Sequence, residues 1–246
     1  VALVDYPYDG NTVIVESINK HKREIPLATA GFTGNELNTG DADTVNRFIN
    51  FVDAQYIPQR TILIVTDRKT RPMWCAAGDA TSNSAMSISN FADAVKNRGI
   101  SIILFDAPVK STVEIACELR KEKTNIDYYI ASQGDVLSYG FDYTKLLEGV
   151  HSVLTSNTPP VNTVQAMADS ICSTNAYPYV YSQQNPEPDR RSLALIDCNA
   201  VTAATATMDD IVNYCESLWS SNPYVFDIAR FDSGFYYPIP WYVDWI

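Results

Sequence analysis

The sequence predicts an α/β protein with a mainly parallel sheet between layers of helices. Two observations carry this expectation. Short β-branched runs alternate with stretches of helical periodicity along most of the chain. Two of the runs, Thr61–Thr66 and Ile100–Phe105, are apolar almost throughout, as strands buried on both faces are.

The elements follow in order. Val1–Asp5 and Thr12–Ser17 are close together and are expected to form an antiparallel hairpin-like excursion. Lys20-His21-Lys22-Arg23 stands near its tip and reads as a solvated turn. Asp43–Ala54 sets Val45, Phe48, Ile49 and Val52 on one helical face. Asp41 and Asp43 flank that helix start, where acidic groups favour the positive end of the dipole. After the strand Thr61–Thr66, Met86–Asn97 carries Ile88, Phe91, Ala92 and Val95 at helical spacing. Ile100–Phe105 is the next strand. Ser111–Lys121 opens on Ser111-Thr112-Val113-Glu114, a capping box whose Ser and Glu side chains satisfy free backbone N–H groups. Strands follow at Tyr128–Ala131, Tyr179–Ser182 and Leu193–Ile196, with helices at Tyr143–Leu154, Val161–Thr174 and Asn199–Ser217. Asn185-Pro186-Glu187-Pro188-Asp189 is the clearest loop, short enough to be a surface connection, so residues 1–246 read as a single domain.

Composition narrows the function. Over 246 residues, 18 Lys+Arg face 29 Asp+Glu, a formal net charge of −11, which argues against nucleic acid or an anionic membrane surface as partner. No apolar stretch approaches the roughly 20 residues that span a bilayer. The five cysteines are widely spaced, with no zinc-like Cys or Cys/His pairing, so no metal site or disulfide framework is expected. No GxxxxGK[ST] or GxGxxG phosphate loop exists, and no cofactor is expected.

In parallel α/β sheets, functional groups gather beyond the carboxyl ends of the strands. Two such ends stand out: Leu63-Ile64-Val65-Thr66-Asp67-Arg68-Lys69 and Ile102-Ile103-Leu104-Phe105-Asp106-Ala107-Pro108. With Glu36-Leu37-Asn38-Thr39-Gly40-Asp41, Ser87–Ala94, Val113-Glu114-Ile115-Ala116, Ile130-Ala131-Ser132 and Gly140-Phe141-Asp142-Tyr143 in order and spacing, the chain resembles the clostripain-like cysteine peptidases, most closely over residues 30–155. The resemblance implies a caspase-like three-layer α/β/α sandwich with a mainly parallel central sheet. It also implies an extracytoplasmic location, whether secreted, periplasmic or at the cell surface. The family begins with another strand and helix that this sequence lacks, so the missing strand is expected from a removed segment, another chain or a rearranged sheet.

The family's catalytic pair does not carry over. Where its first strand end has Asp-His-Gly, this chain has Asp67-Arg68-Lys69; where its second has Asp-Ala-Cys, this chain has Asp106-Ala107-Pro108. An Arg guanidinium stays protonated and cannot act as the base, and Pro offers no nucleophile. Pro108 also lacks the backbone N–H of the family's oxyanion hole, a loss worth about 10²–10³ in rate. No catalytic residue is therefore assigned. Arg68, Lys69 and Arg71 concentrate positive charge at the old cleft, and with Asp67 and Asp106 they are the candidate binding residues, for a peptide or other protein or an anionic ligand.

Other residues offer little rescue. His21 and His151 lie away from the strand ends. Cys75, in the loop after the first strand end, reads as a free thiol, and Cys117, Cys172, Cys198 and Cys215 as structural residues. Asp209 and Asp210 read as solvated, and Asp67 and Asp106 as supporting groups beside the cleft. Some relatives use calcium, but no dedicated calcium loop is present. The aromatic tail from Phe235 to Trp245 suits core packing or a partner surface. The favoured reading is an inactive peptidase homologue with a binding or assembly role. Its alternatives are an active cysteine endopeptidase of Arg/Lys specificity with relocated residues around Cys75 or a Ser, and an unrelated α/β binding module.

Overall fold

The computed structural model describes residues 1–6, 11–18, 21–67, 75–134, 136, 140–156, 162–175 and 193–221. The expected strand Tyr179–Ser182, the loop at 185–189 and the aromatic tail lie outside them. Two compact units emerge, Val1–Thr202 and Ala203–Ile246.

The central sheet of the first unit has four strands: β4 (Thr61–Thr66), β7 (Ile100–Asp106), β8 (Tyr128–Ser132) and β9 (Leu193–Asp197), in the order β4-β7-β8-β9. The first three run parallel and β9 is antiparallel to β8. The period-2 alternation of β7 sorts its residues between two layers. Ile103 and Phe105 face α2 (Ile88–Val95) and α3 (Val113–Leu119), packing with Phe91, Ile115 and Leu119. Ile102 and Leu104 face α5 (Tyr143–Leu154) and α6 (Thr163–Asn175), packing with Leu146, Met167 and Ile171. A strand apolar on both faces belongs between two such layers, which is the expected α/β/α sandwich.

The early excursion is larger than a hairpin. β1 (Ala2–Tyr6), β2 (Asn11–Ile18) and β3 (His21–Ile25) form a separate antiparallel sheet, with β2 central. The charge run was expected as a turn, but His21, Lys22 and Arg23 are exposed strand residues, and Ile25 is the buried one. Ile14 and Ile25 pack with Leu27, Phe32, Leu37 and Phe51 of α1 (Ala42–Tyr56) in a cluster of their own. A second unforeseen pairing is the hairpin of β5 (Cys75–Asp79) and β6 (Ser84–Ser87), which takes the first two residues expected of the helix at Met86.

Capping explains the helix starts. Asp41 accepts from Asp43 N at 3.0 Å, Ser87 from Asn90 N at 3.1 Å and Asp142 from Lys145 N at 3.1 Å. The cap of α3 is Thr112, bonded to Ile115 N at 3.4 Å, one residue later than the predicted Ser111. The shift by one removes Glu114 from the box position and leaves it as a first-turn acid. In the second unit, α7 (Cys198–Ser221) continues from Ala203 to its end, with Asp209 and Asp210 exposed as expected.

Glu16 and Asp142 make the first unit acid-sensitive. The Arg23 hydrogen bond, followed by that of the Tyr56 hydroxyl, holds the Glu16 carboxyl below its ordinary 4.5. The Lys145 N–H does the same for Asp142, below 3.8. A carboxyl whose folded pKa is depressed contributes stability that is complete above its unfolded value and is lost as pH falls through the folded one. Stability is therefore expected to decline as pH drops below 4.5 and then 3.8. Glu16→Gln should flatten the upper part of that decline in urea denaturation at a series of pH values; an unchanged profile would contradict the assignment.

Candidate functional site

The parallel pairing of β4 and β7 fixes the relation of the two strand ends. Thr66 and Asp106 are register partners, and Asp67 N donates to the Asp106 carbonyl at 3.4 Å. Asp67 and Asp106, two of the expected binding residues, are thus brought together at the carboxyl edge of the sheet, both buried. The remaining three, Arg68, Lys69 and Arg71, lie outside the described residues.

Asp106 is fully buried, and its Oδ2 accepts the Tyr143 hydroxyl at 2.5 Å and Phe141 N at 3.4 Å. These bonds anchor the start of α5 to the end of β7. A buried carboxylate gripped by donors is a positioning group, not a free base. Ala107 and Pro108 follow, both buried. Val109 then takes φ 52°, a left-handed conformation that strains a β-branched residue. The strained turn is held by Val109 N to the Gly134 carbonyl at 3.0 Å and by Lys110 N and Ser111 N to the Ser132 carbonyl, each at 2.9 Å. Lys110 carries its ammonium into the interior. Sequence reasoning gave Lys110, Ser132 and Tyr143 no role at this edge, although Ser132 and Tyr143 stand in two of the motifs that carry the resemblance.

The thiols give no alternative centre among the described residues. Cys75, expected in a loop, is buried at the start of β5. Both histidines are exposed, His21 on β3 and His151 on α5, and neither bonds a cysteine. Burial first, then the charges of Asp197 and Asp127, push the Cys198 thiol up to about 12, so no thiolate forms there near neutrality. Burial and Asp169 likewise raise Cys172.

A second cluster lies elsewhere: Asp5, Glu36 and Asp79, whose carboxylate oxygens could share a cation. Burial pushes the Asp79 carboxyl up, but hydrogen bonds from the backbone of Ser82, Thr39 and Thr81 outweigh it and keep the group below its ordinary value.

Comparison with known proteins agrees with this architecture. The structure resembles a secreted C11 cysteine protease from Bacteroides thetaiotaomicron, solved in complex with an irreversible peptide inhibitor, with a TM-score of 0.59 and 18% identity over 86% of this chain and 59% of that one. It also resembles an inactive zymogen C11 protease from Parabacteroides distasonis, with a TM-score of 0.52 and 19% identity over 80% of this chain and 50% of that one. The chain thus spans between half and three-fifths of the length of these structures, and at such identities the likeness speaks for the fold. No curated protein matches. The model of one family does match, over residues 1–239, and with the caspase-like sheet it agrees with the order of motifs around β4 and β7: this chain belongs to the clostripain family.

Proposed function

We propose that this chain is a clostripain-family homologue without peptidase activity of its own, whose cleft serves binding or assembly. The observation that carries the reading is Pro108. In the family the Asp-Ala pair at this strand end is followed by the nucleophilic Cys; here it is followed by a buried residue with neither a side-chain nucleophile nor a backbone N–H. Arg68 in place of the family's His removes the base as well. The ligand we infer is an anionic group or acidic peptide, drawn by the positive charge that Arg68, Lys69 and Arg71 concentrate directly after Asp67 in the sequence. An extracytoplasmic location is part of the same reading, supported by the secreted protease from Bacteroides.

The purified chain is expected to show no turnover of Arg- or Lys-containing fluorogenic peptides and no labelling by thiol-directed irreversible inhibitors. Mass spectrometry of the inhibitor-treated protein checks both the labelling and its position. Specific adduct formation at Cys75, accompanied by turnover, would replace this reading with that of a relocated active centre.

A further inference from the structure

The three-stranded sheet ends on a strand that only one neighbour covers. Among the described residues β3 pairs with β2 alone, so the main-chain groups along its other side have no strand partner. An open edge of this kind is a template for an extended chain. Charged residues commonly guard such edges, and the exposed His21, Lys22, Arg23 and Glu24 could serve that purpose alone. The second observation is a groove at the same edge. Two adjoining hollows of about 500 and 200 Å³ separate α1 from residues 23–31, and both are bordered by Thr29, Phe51 and Gln55. Consecutive residues Arg23, Glu24 and Ile25 all border the smaller one, so it opens along the strand itself and not on one face of the sheet.

The fold holds both walls in place. Ile25 packs with Phe51 of α1, and Arg23, on the same face of β3, bonds to Glu16, which also accepts the Tyr56 hydroxyl. The floor of the groove is apolar, built on the buried Phe51 with Ala30 and Ala54. Its two ends are basic: Arg23 borders the smaller hollow and Arg47 the larger, with side chains 70% and 53% exposed. Each guanidinium meets its carboxylate through Nε, Arg23 on Glu16 and Arg47 on Asp43, which leaves the terminal amino groups of both forks for a further acceptor. The groove is separate from the strand ends discussed above. The helix α1 stops at Tyr56 and the chain enters β4 at Thr61, so the Tyr56 end lies toward the amino edge of the central sheet, opposite the carboxyl edge that carries Asp67 and Asp106.

We propose that the β3 edge and the groove beside α1 bind an extended acidic segment of a partner protein, which adds to β3 as a fourth strand. Main-chain hydrogen bonds along the edge supply affinity, and alternate side chains of the added strand read the surroundings. Apolar side chains of the segment enter the groove over Phe51, while Lys22, Arg23 and Arg47 select its carboxylates. Charge decides the partner's sign. A chain of net charge −11 repels an acidic segment over most of its surface, and β3 is a place where basic side chains outnumber acidic ones.

The test uses the whole chain and a fluorescein-labelled octapeptide of alternating glutamate and valine, followed by fluorescence anisotropy. The peptide should bind, less tightly as salt is added, and its lysine–valine counterpart should not. Lys22→Glu and Arg47→Glu, both at exposed positions, should each weaken binding about threefold to tenfold. Ala54→Trp, which fills the groove from an exposed helix position, should weaken it further, and all three variants should keep the wild-type thermal midpoint within a few degrees. Methylating alternate peptide nitrogens of the probe should abolish binding, because the strand then loses its main-chain donors. Absence of binding to the wild-type chain would overturn the proposal, as would binding that survives both methylation and Ala54→Trp. Binding lost in Arg68→Glu and retained in Lys22→Glu would also overturn it, by assigning the peptide to the strand ends and so supporting the proposed function. Self-association of the chain that Lys22→Glu abolishes, without peptide binding, would give this edge to a second copy instead.

Discussion

Phe105→Ala is expected to lower the stability of the first unit by about 4 kcal/mol, the largest effect of any single truncation considered. Phe105 is fully buried on β7 and packs between two aromatic rings, Phe91 at 5.7 Å and 56° and Tyr129 at 6.4 Å and 84°. Such tilted and edge-on arrangements add to the area buried, by about 0.5–1.5 kcal/mol each. Removing the ring leaves a cavity that the parallel strands on either side cannot close without shifting register. Phe105→Leu should cost much less, about 1.5 kcal/mol, since most of the volume is retained. Urea denaturation followed by tyrosine fluorescence measures both. A loss below about 1 kcal/mol for the alanine variant would mean that α2 collapses into the gap, and that the layer over this face is not rigid.

Asp106→Ala is expected to cost about 3 kcal/mol, for a different reason. The neighbouring residue faces the other layer, and its carboxylate satisfies the Tyr143 hydroxyl and Phe141 N–H. Truncation strands both donors at the buried carboxyl edge of the sheet, and charged acceptors contribute more than neutral ones. Tyr143→Phe alone should cost about 1–1.5 kcal/mol. The double variant should fall short of the sum of the two, because the second change removes a donor already orphaned by the first. Additivity within about 0.3 kcal/mol would show that the hydroxyl and the carboxylate do not act as a pair. The result bears on function, since this bond fixes where α5 begins relative to the strand end that precedes Pro108. A rigid edge of this kind suits a binding cleft, whether or not it once served chemistry.

The meeting of Asp5, Glu36 and Asp79 would have been difficult to anticipate. Asp5 reads as the end of a strand and Glu36 as part of a family motif, while Asp79 has no place in any element or motif read from the sequence. No spacing rule links residues so far apart, because it is the packing of a sheet, a loop and a hairpin that unites them. The hairpin itself gave little local signal: Cys75-Ala76-Ala77-Gly78-Asp79 is poor in β-branched residues, and its strand state depends on pairing with Ser84–Ser87. The run Lys20-His21-Lys22-Arg23 was likewise a solvated turn by its charge, yet its last three residues form an exposed strand because Ile25 and the ladder with β2 hold them.

By itself the sequence determined the layered α/β architecture, the helix positions and the family, because these follow from local regularities: a two-residue period in β7, a helical period in α1 and α2, capping side chains, and linked motifs at strand ends. Tertiary structure alone decided the separate three-stranded sheet, the antiparallel direction of β9, the grip of Tyr143 on Asp106 and the meeting of Asp5, Glu36 and Asp79. Each of these joins residues distant along the chain, and the energy of such a contact exists only once the backbone has been brought round to make it.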